Sequence, residues 1–308
     1  MGQCMGIMKK QFLLGFLLLS ATILIHGLKR SVCITIPKSG THLLHKCLAH
    51  FNYPELVVAY NFIKNDPPGI DVVTENYPGV PPFHHKGDCF PEFSGPLPAG
   101  FIDWFDSSTS NRLSVHFPYT KEFADKISSD AFANFLTIRD PRDQVVSYAF
   151  MVYKYREDMQ APFEQVLLDL IDGQTRRFIP WGVALNNAYP LAWELGVVDF
   201  YKRYLPFAAQ KNVKVIRFEN LVGEAGGGSK EKQLQEIQAI AQHLDISLSS
   251  TQIEEIAQKL FGGTFTFREG QIGSWKKYFT PEIKQVFKNS PGALDLLIEL
   301  GYEKDYLW

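Results

Sequence analysis

The chain has 308 residues, of which 45% are apolar and 21% charged, with 31 basic against 33 acidic side chains and a net charge of −2. That balance excludes a global electrostatic grip on nucleic acid, and the apolar content excludes wholesale disorder. Four cysteines without a CxxC pair exclude a disulfide scaffold and give no support to a zinc site of that type.

Residues 1–30 read as an N-terminal hydrophobic signal or anchor segment. Gln11 to Ile25 carries no charge, and Lys9, Lys10, Lys29 and Arg30 flank it. The stretch is short for a bilayer crossing and lacks a clear cleavage site, so a buried first helix is the competing reading. Residues 31–308 read as one domain. Ser31 to Ile36 is a short buried strand, Pro37 to Thr41 breaks it, and His42 to Phe51 has apolar residues at helical spacing. Residues 52–110 are rich in Pro, Gly, Asn and aromatics; they are expected to form a lid or binding surface with short strands at best. Strands are expected at Arg112 to His116, Phe135 to Ile138 and Val213 to Phe218. Helices are expected at 144–153, 162–171, 191–204, 230–244 and 250–260, and over 281–301 with a break at Ser290-Pro291-Gly292. Alternating strands and helices point to an α/β fold, a central parallel sheet flanked by helices.

Three motifs carry chemistry. The first is Ile36-Pro37-Lys38-Ser39-Gly40-Thr41 between a strand and a helix. Such a loop presents backbone N–H groups and the positive end of a helix dipole to a phosphate or sulfate, with Lys38 adding charge and Thr41 a hydroxyl; a plain βα turn is the competing reading. It lacks the GxxxxGK[ST] pattern of triphosphate-binding loops, so a shorter anion is expected. The second is Arg139-Asp140-Pro141-Arg142-Asp143 followed by Ser147, directly after a strand. Arg139 then stands at a carboxyl strand end, where α/β sheets bind ligands, and a salt-bridged turn is the competing reading. The third is Arg268-Glu269-Gly270 with Gly273 and Trp275, which reads as a phosphate wrap or as a surface loop with an aromatic anchor.

IPKSGT, FLTIRDPRDQVVSY, VKVIRFENL and FREGQIGSWKKYFT follow one another in this order. Together they resemble the cytosolic-type sulfotransferase family, which uses 3′-phosphoadenosine 5′-phosphosulfate (PAPS). The resemblance runs over about residues 32–285, weakest in 52–110, and implies a single-domain, P-loop-like fold. It implies that Lys38, Ser39, Gly40 and Thr41, with His42 beside them, surround the 5′-phosphosulfate. Arg139 and Ser147 would hold the 3′-phosphate, with Arg268 and Gly270 closing over it. Phe218 stands where the family usually has a tyrosine near the nucleotide, and Phe261 would flank the adenine. RLSVHFP resembles the family strand that ends in a catalytic histidine, which makes His116 the general base and Lys38 the group that neutralises the leaving phosphate oxygen. His42, His45, His84 and His85 are the competing histidines. The acceptor would be a hydroxyl or amine on a small molecule, glycan or peptide, and no metal is expected.

The chain departs from the family in places. Leu43 stands where many members carry a tryptophan stacked on adenine, Glu269 replaces a common lysine, and the strand before His116 has Ser114 or Val115 in the region of the usual lysine. The family dimer motif survives only at Lys276 and Thr280. The alternatives to a sulfotransferase are a nucleotide kinase and an inactive nucleotide-binding module on the same fold. Because the catalytic domain must face a supply of donor, it is expected either tethered to a membrane on the cytoplasmic side, the favoured form, or facing a lumen supplied with donor, with membrane contact through residues 11–25.

Overall fold

The structure is a computed structural model, and it describes residues 29–51, 56–59, 62–63, 69–70, 106, 112–116, 118–155, 162–173, 196–264 and 267–308. Strand β1 (Ser31–Thr35) leads through residues 36–40 into helix α1 (Thr41–His50). Strands β2 (Leu56–Ala59), β3 (Phe62–Ile63) and β4 (Gly69–Ile70) come next, then β5 (Arg112–Val115), α2 (Lys121–Lys126) and β6 (Asn134–Ile138). Helices α3 (Pro141–Tyr155), α4 (Phe163–Asp172) and α5 (Val197–Lys202) precede strand β7 (Val213–Arg217). Helices α6 (Phe218–Leu221), α7 (Lys230–His243), α8 (Ser250–Leu260), α9 (Pro281–Asn289) and α10 (Ala293–Glu299) complete the order.

Five strands form one sheet in the order β2-β5-β1-β6-β7, all parallel. Its strands alternate between two cores, as the two-residue period of a strand requires. Val32, Ile34, Leu113, Val115, Leu136 and Ile138 face one apolar cluster with α3, α4, α5 and the C-terminal helices. Cys33, Phe135 and Ile216 face the other, built from α1, α7 and α8. Both faces are covered, which explains why these strands read as near-continuous apolar runs.

From β1 the chain runs to the edge strand β2, returns as β5, then crosses to β6 and β7 on the other side. The order therefore reverses at β1, and the loops after β1, β5, β6 and β7 open at the same sheet edge. This is where an open α/β sheet holds its ligand.

Most expected elements form within a residue or two. Ser249 caps α8 with the capping box to Gln252, and the C-terminal helix breaks at Ser290 to Gly292. The short strand Leu56–Ala59 lies in the stretch expected to carry short strands at best, and it pairs with β5 from Leu56↔Arg112 to Ala59↔Val115. Two expectations change. Phe218 opens α6 rather than ending β7. The helix expected at 191–204 is described only as Val197–Lys202, followed by a 3-10 turn at Leu205–Ala209. Residues 1–28, His84, His85 and most of the 52–110 stretch lie outside the described residues, and with them the anchor and lid expectations. Among the described residues no helix is long and apolar enough to cross a membrane.

Candidate active site

The loop after β1 is shaped by backbone conformation. Lys38 and Gly40 both take positive φ, 68° and 103°, with Ser39 N–H bonded to the Ile36 carbonyl between them. Lys38 sits in a region that costs a side-chain-bearing residue about 1–2 kcal/mol. Gly40 is the N-cap of α1 and supplies no side-chain cap, so the first N–H groups of the ten-residue helix have no local side-chain acceptor. A Cβ on Gly40 would lie 3.1 Å from the Phe218 ring.

Arg139 ties the three motifs together. Its guanidinium donates to the carbonyls of Lys38 (3.4 Å) and Gln271 (3.0 Å) and lies 4.1 Å from the centre of the Phe218 ring. It is 6% exposed, and its Nε meets no hydrogen-bond partner. The hydroxyl of buried Thr41 is likewise unpartnered. Buried polar groups left unmet in a native fold call for a ligand or water, and both stand beside the loop after β1.

The RDPRD turn is salt-bridged, as its competing reading expected. Arg142 forms a bidentate pair with Asp140, reaches Glu303, and lies against both the Trp275 (4.3 Å) and Trp308 (4.4 Å) rings. Asp143 accepts from the N–H groups of Gly273 (2.7 Å) and Trp275 (2.8 Å) and from the Ser274 hydroxyl. Its partly desolvated carboxyl has a raised pKa. Asp143 thus pins the C-terminal segment against α3, and Trp275 is the anchor of that segment.

Arg268 lies 4.1 Å from the centre of the Phe150 ring, one helical turn beyond Ser147 on α3. It also pairs with Glu269 (2.7 Å) and donates to the Tyr278 hydroxyl (3.2 Å). Gly270 lies against two rings: a Cβ there would come within 2.6 Å of Phe267 and 3.1 Å of Phe261. Phe261 and Phe267 meet edge to face at 5.3 Å.

His116 follows β5 and is buried. Its Nδ1 is 2.7 Å from the Thr35 carbonyl and 2.8 Å from the Thr35 hydroxyl. A carbonyl only accepts, so Nδ1 carries the proton and Nε2 is the basic nitrogen. Burial, opposed by the Thr35 bond and reinforced by nearby His42 and Lys38, lowers the imidazole pKa to about 4. The ring is therefore neutral at pH 7. His45 points to another partner, Ser114, at 2.8 Å.

The family model described as a sulfotransferase domain matches residues 28–291. The chain belongs to the sulfotransferase family. Among its relatives, sulfotransferase 6B1 of Mus musculus is 26% identical over 218 residues, which cover 62% of this chain and 61% of the relative. Sulfotransferase 6B1 of Danio rerio is 25% identical over 187 residues, covering 54% and 55%. The matched span is thus less than two thirds of the length of these relatives. The solved structure of mouse sulfotransferase SULT7A1, complexed with PAP, shares the fold at a TM-score of 0.54 and 15% identity, over 87% of this chain and 86% of that one.

Within this sulfotransferase-family chain, several residues at the site escaped the sequence reading. Tyr201 donates its hydroxyl proton to the Arg139 carbonyl (2.7 Å), which leaves the Ser39 hydroxyl as donor in their 3.4 Å contact. Gln144 holds the Pro37 carbonyl at 2.8 Å, and the Tyr204 hydroxyl holds the His116 carbonyl at 2.6 Å. Tyr201 and Tyr204 fall in the span expected to be helical, 191–204, and no local signal separates them from core.

Proposed function

We propose that this chain is a PAPS-dependent sulfotransferase acting on a hydroxyl or amine acceptor, with His116 as general base. The observation that carries this reading is the single guanidinium of Arg139, which meets the Lys38 loop, the Gln271 segment and Phe218 together. Three stretches far apart in sequence so converge on one anion-binding edge.

The donor supplies the sulfuryl group and leaves as 3′-phosphoadenosine 5′-phosphate (PAP). Lys38, Ser39, Gly40, Thr41 and His42 hold its 5′ end through the N–H groups and dipole of α1. Arg139, Ser147, Arg268 and Gly270 hold the 3′-phosphate, and Phe218 and Phe261 bound the nucleoside. The buried, unmet Thr41 hydroxyl and Arg139 Nε fit that anionic ligand. His116 Nε2 takes the acceptor's proton as the acceptor oxygen or nitrogen bonds to sulfur. Lys38 neutralises the charge left on the departing phosphate oxygen as the bond from sulfur to that oxygen breaks.

An acceptor screen with radiolabelled donor tests the reading, with a PAP thermal-shift titration beside it. PAP stabilisation with transfer to an acceptor is expected. Strict Mg²⁺ dependence with a nucleoside triphosphate would instead favour a kinase. The pairing of Arg268 with Glu269 favours a second reading, a module that binds the nucleotide without turnover. PAP binding with no transfer to any acceptor supports it.

A further inference from the structure

Helix α1 carries Leu43 on its buried face, packed among apolar side chains at the place where the family resemblance puts a ring against adenine. One turn further along the same helix stands Lys46, whose side chain runs inward and leaves the residue 3% exposed. Its ammonium donates to the carbonyls of Leu260 (3.3 Å) and Gly262 (2.9 Å). Those carbonyls lie on either side of Phe261. Leu260 is also the last residue of α8, where carbonyls lack intrahelical partners and the dipole presents its negative end.

The segment that Lys46 grips has little stiffness of its own. Phe261 leaves the helix in extended conformation, and Gly262 and Gly263 follow with φ of 70° and 69°. Without an outside constraint, the Phe261 ring has several orientations open to it. Two charge-assisted hydrogen bonds to the flanking carbonyls remove that freedom, and Phe267 closes the other side of the ring. Burying an ammonium is costly unless hydrogen bonds compensate, so a lysine sunk here for packing alone is a poor choice for the fold. Its pKa is lowered by that burial.

We infer that Lys46 is a positioning residue that fixes Phe261 as the aromatic wall of the adenine pocket, in a chain whose helix α1 offers Leu43 instead of a stacking ring. The inference rests on the donor reading given above. Its consequence is specific to the base: Lys46 acts on adenine recognition through Phe261 and has no part in gripping the phosphates.

The test is calorimetric titration of wild type, Lys46→Met, Phe261→Leu and the double variant with two probes, PAP and adenine-free ribose 3,5-bisphosphate. Lys46→Met is expected to bind PAP about tenfold more weakly, the scale of one base–aromatic stack, and to bind the ribose bisphosphate as wild type does. In the Phe261→Leu background the Lys46 substitution should add nothing further to the PAP loss. Equal loss for both probes, an undiminished effect in the Phe261→Leu background, or unchanged PAP affinity would each overturn the inference. Wild type that fails to bind PAP would instead sink the donor reading beneath it. Should Lys46→Met not fold, Lys46→Gln, which keeps one donor group, carries the same comparison.

Discussion

The Nδ1 atom of His116 lies 2.7 Å from the carbonyl oxygen of Thr35, the last residue of the neighbouring strand. That contact fixes the tautomer of a buried imidazole before any substrate arrives. With Nδ1 protonated against that carbonyl, the second ring nitrogen is the basic one, as the proposed general-base role requires.

Replacing His116, the proposed base, should separate chemistry from binding. His116→Ala is expected to lower turnover about 10²- to 10⁴-fold, the usual range for a general base. PAP affinity, measured by calorimetry, should stay near that of wild type. Normal turnover in this variant would remove His116 from the mechanism.

The lowered pKa of His116 also makes a stability prediction. The folded value of about 4 lies below the ordinary 6.5, so the neutral ring contributes fully above pH 6.5, and stability is lost as pH falls toward 4. The single-site loss across that window is about 3 kcal/mol from the size of the shift. Urea unfolding of wild type and His116→Asn at pH 7 and pH 4.5 measures it. The gap between the two proteins should narrow, or change sign in favour of the variant, at the lower pH.

Arg139→Lys tests the convergence of the three motifs. A lysine has no planar fork with which to reach both the Lys38 and Gln271 carbonyls while covering the Phe218 ring. PAP affinity is expected to fall at least about tenfold, for the loss of one charge-assisted contact or more. An unchanged thermal shift with PAP would show that the guanidinium serves the fold alone.

Asp143→Asn tests the link between α3 and the C-terminal segment. The carboxylate accepts two backbone N–H groups and a hydroxyl, and an amide supplies only one acceptor oxygen for them. A loss of about 1–3 kcal/mol in chemical unfolding is expected, from a buried donor left unmet. PAP affinity should weaken with it, because the segment carrying Arg268 and Gly270 loses its tether.

Gly40→Ala should damage the loop directly. A side chain at φ 103° is strained by about 1–2 kcal/mol, and its Cβ would press on the Phe218 ring at 3.1 Å. The expected result is a folded protein with a lower melting temperature and no PAP-induced shift.

The α/β class, the strand–loop–helix unit at 31–51, the capping of α8 by Ser249 and Gln252, and the IPKSGT, RDPRD and REG motifs are legible in the amino-acid order. Those signals are local: a two-residue or 3.6-residue period, a cap, a glycine between strand and helix. Tertiary structure alone decided the rest. Leu56–Ala59 becomes a strand only because β5 is there to pair with it. Tyr201 touches Ser39 across 162 residues of chain, and Lys46 reaches Gly262 across 216. Contacts at such separations leave no pattern in either partner's neighbourhood, since each side chain looks locally like an ordinary member of a helix face. The RDPRD turn is of the same kind. Whether its charges pair with each other or face a ligand depends on where Trp275, Trp308 and Gln271 arrive, and the folded sheet brings them there.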